Sequence, residues 1–521
     1  MTETTTHPAG PAEETALNIR PILHYTAKNT WLNDPNGLIY SNGIYHLYYQ
    51  NNPYGNVWGN MAWGHATSTD LTTWTEHPVA IPGDEEEDIF SGSIVIDHLN
   101  TSGFGTEDRT PWVAVYTSAF KDPSPHRGTQ AQSLAYSLDE GMTWSKFTGN
   151  PVLSRGSLNF RDPKVFWYEG PAGSYWVMVA VEAQEQKVLL YRSENLKDWD
   201  QLSEFGPANA TGGEWECPDL FPLPLDNDPL LMKWVLTVNI NPGAVAGGSG
   251  GQYFIGNFDG TSFIQDEHDD SPPVSSEAEP TDTAQQLRKY NWLDWGRDYY
   301  AAVSFSNVPD NRRIMIGWMN NWDYANDTPT SPWRSAMSVA RDVTLRTIGG
   351  RPAVIQQPAF RLPDHGVHVY EISDQVELNG TPVTFPGSAD GTALIVRAEF
   401  QTGTASRLGL ILGSPSAANA DSRTDIVYDT GTSELAVDRT KSGHTTFHPL
   451  FPSVESCPLA LYGKDLTLEI IIDRCSLEVF AQNGQVAITD LIFPARGQQF
   501  ISAFAEGGDA TLKKLTITEV G

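Results

Sequence analysis

Ile44-Tyr45-His46-Leu47-Tyr48-Tyr49 is a short apolar and aromatic run of the kind that forms a buried strand. It recurs as Trp112-Val113-Ala114-Val115-Tyr116 and as Tyr175-Trp176-Val177-Met178-Val179-Ala180. It returns again as Trp234-Val235-Leu236-Thr237-Val238 and as Ile314-Met315-Ile316-Gly317-Trp318, in steps of about 60 to 80 residues. A second echo lies between these runs: Ser68 to Trp74, Ser137 to Trp144 and Ser193 to Trp199, each a turn that opens the next strand. Units of this size suit the four-stranded blades of a propeller. The five recurrences predict a five-bladed β-propeller over residues 21–345, behind a flexible N-terminal segment, 1–20.

The texture changes after Ile348-Gly349-Gly350. Tryptophan disappears, and alternating runs such as Leu466-Thr467-Leu468-Glu469-Ile470-Ile471 and Ser476-Leu477-Glu478-Val479-Phe480 follow. These predict a linker at 346–370 and a C-terminal β-sandwich at 371–521. The whole chain is expected to be all-β, in keeping with its 45 glycines, 35 prolines, 16 tryptophans and 19 tyrosines, and with the scarcity of helical periodicity. The acidic, Ser- and Pro-containing stretch Asp266 to Thr283 reads as a mobile loop.

The 521 residues carry 33 Lys+Arg against 64 Asp+Glu, a net charge of −31. That excess excludes nucleic acid and anionic membrane surfaces as partners, since both require basic patches. It leaves a neutral substrate open. Cys217, Cys457 and Cys475 form no disulfide framework and no CxxC pair. No apolar run is long enough to cross a membrane as a helix. The polar N-terminus lacks the features of a signal peptide, so the chain as written reads as cytoplasmic, with secretion as the alternative. No oligomeric state is implied.

The best functional clue is where the acids fall. Trp31-Leu32-Asn33-Asp34-Pro35-Asn36-Gly37 precedes the first recurrence, Phe160-Arg161-Asp162-Pro163 the third, and Glu214-Trp215-Glu216-Cys217-Pro218-Asp219 the fourth. If each recurrence is a middle strand, the segment before it is innermost, and acids from separate blades converge at one mouth of the channel. Each motif also has a plainer reading. Asn33 to Gly37 is rich in turn chemistry, where an Asp bonds its own backbone, and Arg161-Asp162 could be an ordinary ion pair. Glu216 lies among Trp215, Cys217 and Pro218, where desolvation would raise its pKa as a general acid requires. Glu214, two residues away on the same face, is its rival, and the pattern does not separate them. Paired carboxyls, one neutral and one ionised, are the equipment of a retaining glycosidase, and Trp and Tyr suit the C–H faces of a sugar ring. Gly247 to Gly251 leads into a strand and reads as a hairpin turn, not a phosphate loop. Asp84 to Asp88 lacks the EF-hand spacing and reads as a solvated loop. His46 and His65 have no HExxH spacing and read as strand packing, so no metal site is expected.

These motifs resemble glycoside hydrolase family 32, the invertase, inulinase and levanase family. The first matches the family's Trp-Met-Asn-Asp-Pro-Asn-Gly with Leu32 in place of Met; Phe90-Ser91-Gly92-Ser93, Arg161-Asp162-Pro163 and Glu216-Cys217 follow in family order. Further similarity lies at Asp294-Trp295-Gly296, Trp318 to Trp322, Pro332-Trp333-Arg334-Ser335 and Ser476 to Phe480. The resemblance implies a five-bladed propeller with a C-terminal sandwich. It implies Asp34 as nucleophile, Glu216 rather than Glu214 as acid/base, and Asp162 as stabiliser of the transition state, with Arg161 beside it. It places Asn33, Gln50, Trp58, Phe90, Ser91 and Trp322 around a fructose pocket. The expected activity is hydrolysis of terminal β-fructofuranosyl units of levan, inulin or sucrose, without a cofactor and with retained configuration. Retention implies carboxyls ~5–5.5 Å apart. The stretches Phe160 to Tyr168 and Asn326 to Ser335 look most like bacterial levanases; a narrow invertase or a fructosyltransferase is the alternative.

Overall fold

The computed structural model describes residues 19–171, 173–266, 280–360, 362, 367–387, 392–413, 422–495 and 500–521. Residues 1–18 of the expected flexible segment lie outside it, as does most of the expected loop at 266–283. That stretch ends in a short helix, Pro280–Leu287, which the loop reading did not anticipate.

Between residues 31 and 358 the described chain forms five antiparallel sheets, each running outward strand by strand. The first comprises Trp31–Ser41, Ile44–Asn52, Ala62–Ser68 and Thr75–Ile81. In every sheet the recurring apolar run is the second strand. The Ser-to-Trp echo is the turn between third and fourth strands of the first three sheets. There the side chains replace missing ladder bonds: Ser68 Oγ accepts from Leu71 N at 2.8 Å, Ser137 Oγ from Gly141 N at 2.9 Å and Asn195 Oδ1 from Lys197 N at 2.9 Å.

The first strands of the sheets are Trp31–Ser41, Glu87–Ile96, Phe160–Gly170, Glu214–Pro224 and Tyr300–Ser304. Each touches the next, and the last touches the first, so they form a closed ring. Two backbone hydrogen bonds seal it: Tyr40 N to Ser306 O and Ser306 N to Leu38 O, both 2.9 Å. Close approach around the ring needs a glycine at 37. Its φ is +52°, and a Cβ there would meet Ile94 Cδ1 at 2.6 Å. The N-terminal part is therefore a propeller.

The expected linker at 346–370 differs from the structure in its first half. Arg341–Ile348 pairs with Arg351–Pro358 through a tight turn at Gly349-Gly350, and both strands belong to the fifth sheet. Two consecutive glycines at positive φ are hairpin chemistry; they mark the propeller's last turn, not its end. The described residues of the C-terminal part form a sandwich of a seven-stranded and a six-stranded sheet around an apolar core, which includes Val396, Leu410, Ile470 and Leu512.

Propeller and sandwich meet across a seam of buried ions. Arg341, fully buried, donates to Asp294 Oδ2 at 2.8 Å, Glu478 Oε2 at 2.6 Å and Thr489 Oγ1 at 2.6 Å. Arg439 of the sandwich donates to Asp298 Oδ2 at 2.6 Å and Tyr324 Oη at 2.8 Å. Ions out of water need such close partners. Gly296 allows the approach, since a Cβ there would lie 2.1 Å from Thr489 O. The motifs Asp294-Trp295-Gly296 and Ser476 to Phe480 are thus explained by the seam.

His24 ties the entering chain to the same seam, with Nδ1 2.8 Å from Asp473 Oδ2 and Nε2 2.8 Å from Glu478 Oε1. Burial alone would lower its pKa, but the two carboxylates raise it from 6.5 to about 9. Its contribution, about 3 kcal/mol, is complete below pH 6.5 and is lost as the pH rises through 9. Thermal unfolding from pH 6 to 10 should show the melting temperature falling across this window, and falling less in His24→Gln. Parallel pH profiles for the two proteins would contradict this.

Candidate active site

All five first strands break register: between Leu32 and Pro35, between Phe90 and Gly92, opposite Val179 to Val181 where Arg161 and Lys164 lie, between Glu216 and Asp219, and between Tyr300 and Val303. Bulges of this kind re-aim side chains and leave backbone groups unpaired. Asp162 (φ 63°), Cys217 (φ 44°) and Ala301 (φ 52°) adopt left-handed conformations there. The freed backbone groups are used locally. Asp162 N donates to Thr117 Oγ1 at 2.9 Å, and Cys217 N to Asp162 Oδ2 at 2.9 Å.

The bulges carry Asp34, Asp162 and Glu216 to one cavity of about 870 Å³, together with Arg161 and Glu214. Asn33, Gln50, Trp58, Phe90, Ser91 and Trp322 line the same cavity. Asp34 accepts from Ser91 Oγ at 3.0 Å and from Asn33 Nδ2 at 3.1 Å, and Trp31 Nε1 holds Asn33 Oδ1 at 2.7 Å. Burial, helped by Glu216, pushes the Asp34 carboxyl up to about 6, against the hydrogen bonds from Asn33 and Ser91. Burial also raises Asp162, against the pull of Arg161.

Arg161 is not simply the partner of Asp162. Its Nε stands 3.9 Å from Asp162 Oδ2, whereas its Nη2 donates both to Glu214 Oε2 and, at 3.1 Å, to Glu216 Oε1. Tyr300 donates its hydroxyl to the other Glu216 oxygen. The apolar neighbourhood expected around Glu216 belongs to its chain neighbours instead. Trp215 is buried in a separate core, whereas the buried Cys217 thiol, at the register break, lies 3.7 Å from both Asp34 Oδ2 and Asp162 Oδ2. Glu216 itself faces charged and polar groups. Glu214 takes a further hydrogen bond from Gln184 Nε2 at 3.0 Å.

Aromatic rings form one wall. Trp322 packs on Trp318 (centroids 4.8 Å apart) and on Trp31 (6.0 Å), and Trp58 meets Phe90 edge-on at 6.3 Å. Gly247 to Gly251 is the turn before the strand Gly250–Phe258 and also seats Trp322, whose backbone N–H donates to Ser249 Oγ at 3.2 Å. His46 and His65 pack within the first sheet, 3.2 Å apart through their ring nitrogens.

The Glycosyl hydrolases family 32 N-terminal domain matches residues 24–358, and the Glycosyl hydrolases family 32 C terminal domain matches residues 367–519. The chain belongs to glycosyl hydrolases family 32. It is 43% identical to a levanase of Bacillus subtilis over 520 residues, covering 96% of this chain and 70% of that one. It is 41% identical to an extracellular exo-inulinase of Aspergillus niger, covering 94% and 92%. Among solved structures, the exo-inulinase of Aspergillus awamori superposes with a TM-score of 0.86 at 38% identity, over 97% of this chain and 98% of that one. A β-fructofuranosidase of Schwanniomyces occidentalis, complexed with fructosyl-erythritol, gives 0.82 at 32% identity, over 97% and 98%. The chain is thus a glycoside hydrolase.

Among the described residues, two groups bonded to the site's carboxyls were not singled out in the sequence. Tyr300 is one, although it precedes the fifth recurrence just as the acidic motifs precede others. Gln184 is the other; Glu214 was weighed only as the rival of Glu216, and its bonds to Arg161 and Gln184 arise from the fold. No helix among the described residues is long and apolar enough to cross a membrane.

The buried charge at Asp34 has a cost in stability. Between pH 3.8 and about 6 the folded chain keeps a proton there that the unfolded chain releases, so stability falls as pH rises through that window. Above it the ionised carboxylate costs about 3 kcal/mol. Asp34→Asn should raise the melting temperature at pH 7 and leave it nearly unchanged at pH 4. An equal change at both pH values would contradict the assignment.

Proposed function

We propose that the protein is a retaining, exo-acting β-fructofuranosidase that removes terminal fructosyl units from levan or inulin, and also cleaves sucrose. The observation that carries this reading is a pair of carboxyls, Asp34 and Glu216, brought by separate inner strands to one aromatic-walled cavity. Asp34 attacks the anomeric carbon, forming a covalent fructosyl ester, while Glu216 gives its proton to the leaving oxygen. Glu216 then takes a proton from water, which attacks the same carbon and frees Asp34; two displacements retain the configuration. Asp162, braced by Cys217 N–H, accepts from sugar hydroxyls and balances charge developing on the ring. Asn33 and Ser91 hold the Asp34 carboxylate in line. Gln50 Nε2, buried without a partner among the described residues, is available to a sugar oxygen.

Exo action is supported by the likeness to exo-inulinases. A void bordered by Asn36, Gly92 and Pro163 has room for about one water, too little for a sugar chain to thread through the propeller there. We read the five sheets as five blades, with the propeller running to residue 358 and the sandwich starting near 367. The polymeric substrate, and the relative named extracellular, favour secretion over the cytoplasmic reading.

Incubation with levan, inulin and sucrose, with products separated by chromatography, should yield free fructose from the first time points. Oligofructans without fructose would contradict exo action. The acid limb of kcat/KM should fall near pH 6, as Asp34 takes up its proton. Asp34→Asn and Glu216→Gln should each lose about 10³-fold or more in kcat with the fold intact.

A further inference from the structure

Glu214 lines the cavity and is bonded, among the described residues, to Arg161 and Gln184. One of its oxygens takes Arg161 Nη2; the other takes Gln184 Nε2 at 3.0 Å. The same Arg161 nitrogen reaches Glu216 Oε1 at 3.1 Å. A single guanidinium nitrogen is therefore divided between two carboxyls two residues apart. Arg161 is almost fully enclosed, with 7% of its side chain exposed, so it has little room to turn elsewhere.

We propose that Glu214 is a positioning residue that draws Arg161 away from Glu216 and so keeps Glu216 able to carry the proton it delivers to the leaving oxygen. The inference rests on Glu216 being the acid/base. A close charge-assisted bond from a guanidinium favours the ionised form of a carboxyl and weakens it as an acid. The groups facing Glu216 come from several strands: Arg161 and Asp162 from Phe160–Gly170, Asp34 from Trp31–Ser41, Tyr300 from Tyr300–Ser304, and Glu214 from its own. Arg161 Nη2 and the Tyr300 hydroxyl take one Glu216 oxygen each. Glu214 acts twice in one direction, as a negative charge nearby and as the competing partner of Arg161. Burial would raise its own pKa, but the bonds from Gln184 and Arg161 hold it below the ordinary carboxyl value, so it is charged when the site works.

The test is the pH profile of kcat/KM for sucrose in Glu214→Gln, a variant that keeps shape and removes charge. The alkaline limb should move down by about one pH unit, giving about tenfold less activity above the limb, while the acid limb remains near its wild-type position. Glu214→Asp, which keeps the charge, should lie between the two. Should Glu214→Gln fail to fold, Gln184→Leu frees Glu214 without removing charge and should shift the same limb by less. A loss equal at every pH with both limbs unmoved, or a change in KM alone, would overturn the proposal. Glu216→Gln is measured alongside: if it keeps wild-type kcat and the alkaline limb, the acid/base assignment itself fails, a result distinct from an unmoved limb in Glu214→Gln.

Discussion

Four carboxyl groups, those of Asp34, Asp162, Glu214 and Glu216, line one cavity, and three of them, all but Asp34, stand within 4 Å of one guanidinium, that of Arg161. Such a concentration of like charge resists assembly, and the surrounding structure can be understood as what makes it tolerable. The inner strands give up ladder bonds so that backbone N–H groups can reach carboxylates, as Cys217 N does to Asp162. Hydroxyls and amides supply the rest: Ser91 and Asn33 to Asp34, Tyr300 to Glu216. The strain of left-handed residues at Asp162 and Cys217 belongs to the same arrangement.

Strain of that kind persists only on a stiff scaffold. Below the carboxyls, Asp219 Oδ2 accepts from Ser304 N and Oγ, both at 2.7 Å, and faces Lys164 Nζ at 3.1 Å. This buried cluster joins three inner strands just where they would otherwise spread. The sandwich reinforces the fifth sheet from outside through Arg341 and its partners, and the incoming chain is anchored by His24. Active-site geometry and domain packing are therefore coupled through the sheet that contributes Tyr300.

Much of this was legible in the sequence. The recurring aromatic strand marked the second strand of each sheet, because a strand buried on both faces must be continuously apolar. The acidic motifs before it then fell on inner strands. The second half of the hairpin, 346–358, was misread as linker because the change of texture after Gly349-Gly350 looked like a domain end; Arg341, in its first strand, is buried with partners from the sandwich, Glu478 and Thr489, 137 and 148 residues away in sequence. The surroundings of Glu216 were misread for a related reason. Trp215 is adjacent along the chain but packs in another core, Cys217 turns its thiol to Asp34 and Asp162, and the groups bonded to Glu216, Arg161 and Tyr300, arrive from other strands. What local pattern conveyed was which element a residue occupies; what it could not convey was which charges meet across the channel.

The central claim is that Asp34 becomes covalently bonded to fructose. A Glu216→Gln variant given an aryl β-fructofuranoside, whose phenolate leaves without a proton, should form the ester quickly and hydrolyse it slowly. Peptide mapping by mass spectrometry is the direct measurement. A fructosyl adduct on the peptide containing Asp34, absent in the Asp34→Asn, Glu216→Gln double variant, is the predicted result. An adduct on Asp162 instead, or phenolate release with no adduct on any residue, would contradict it.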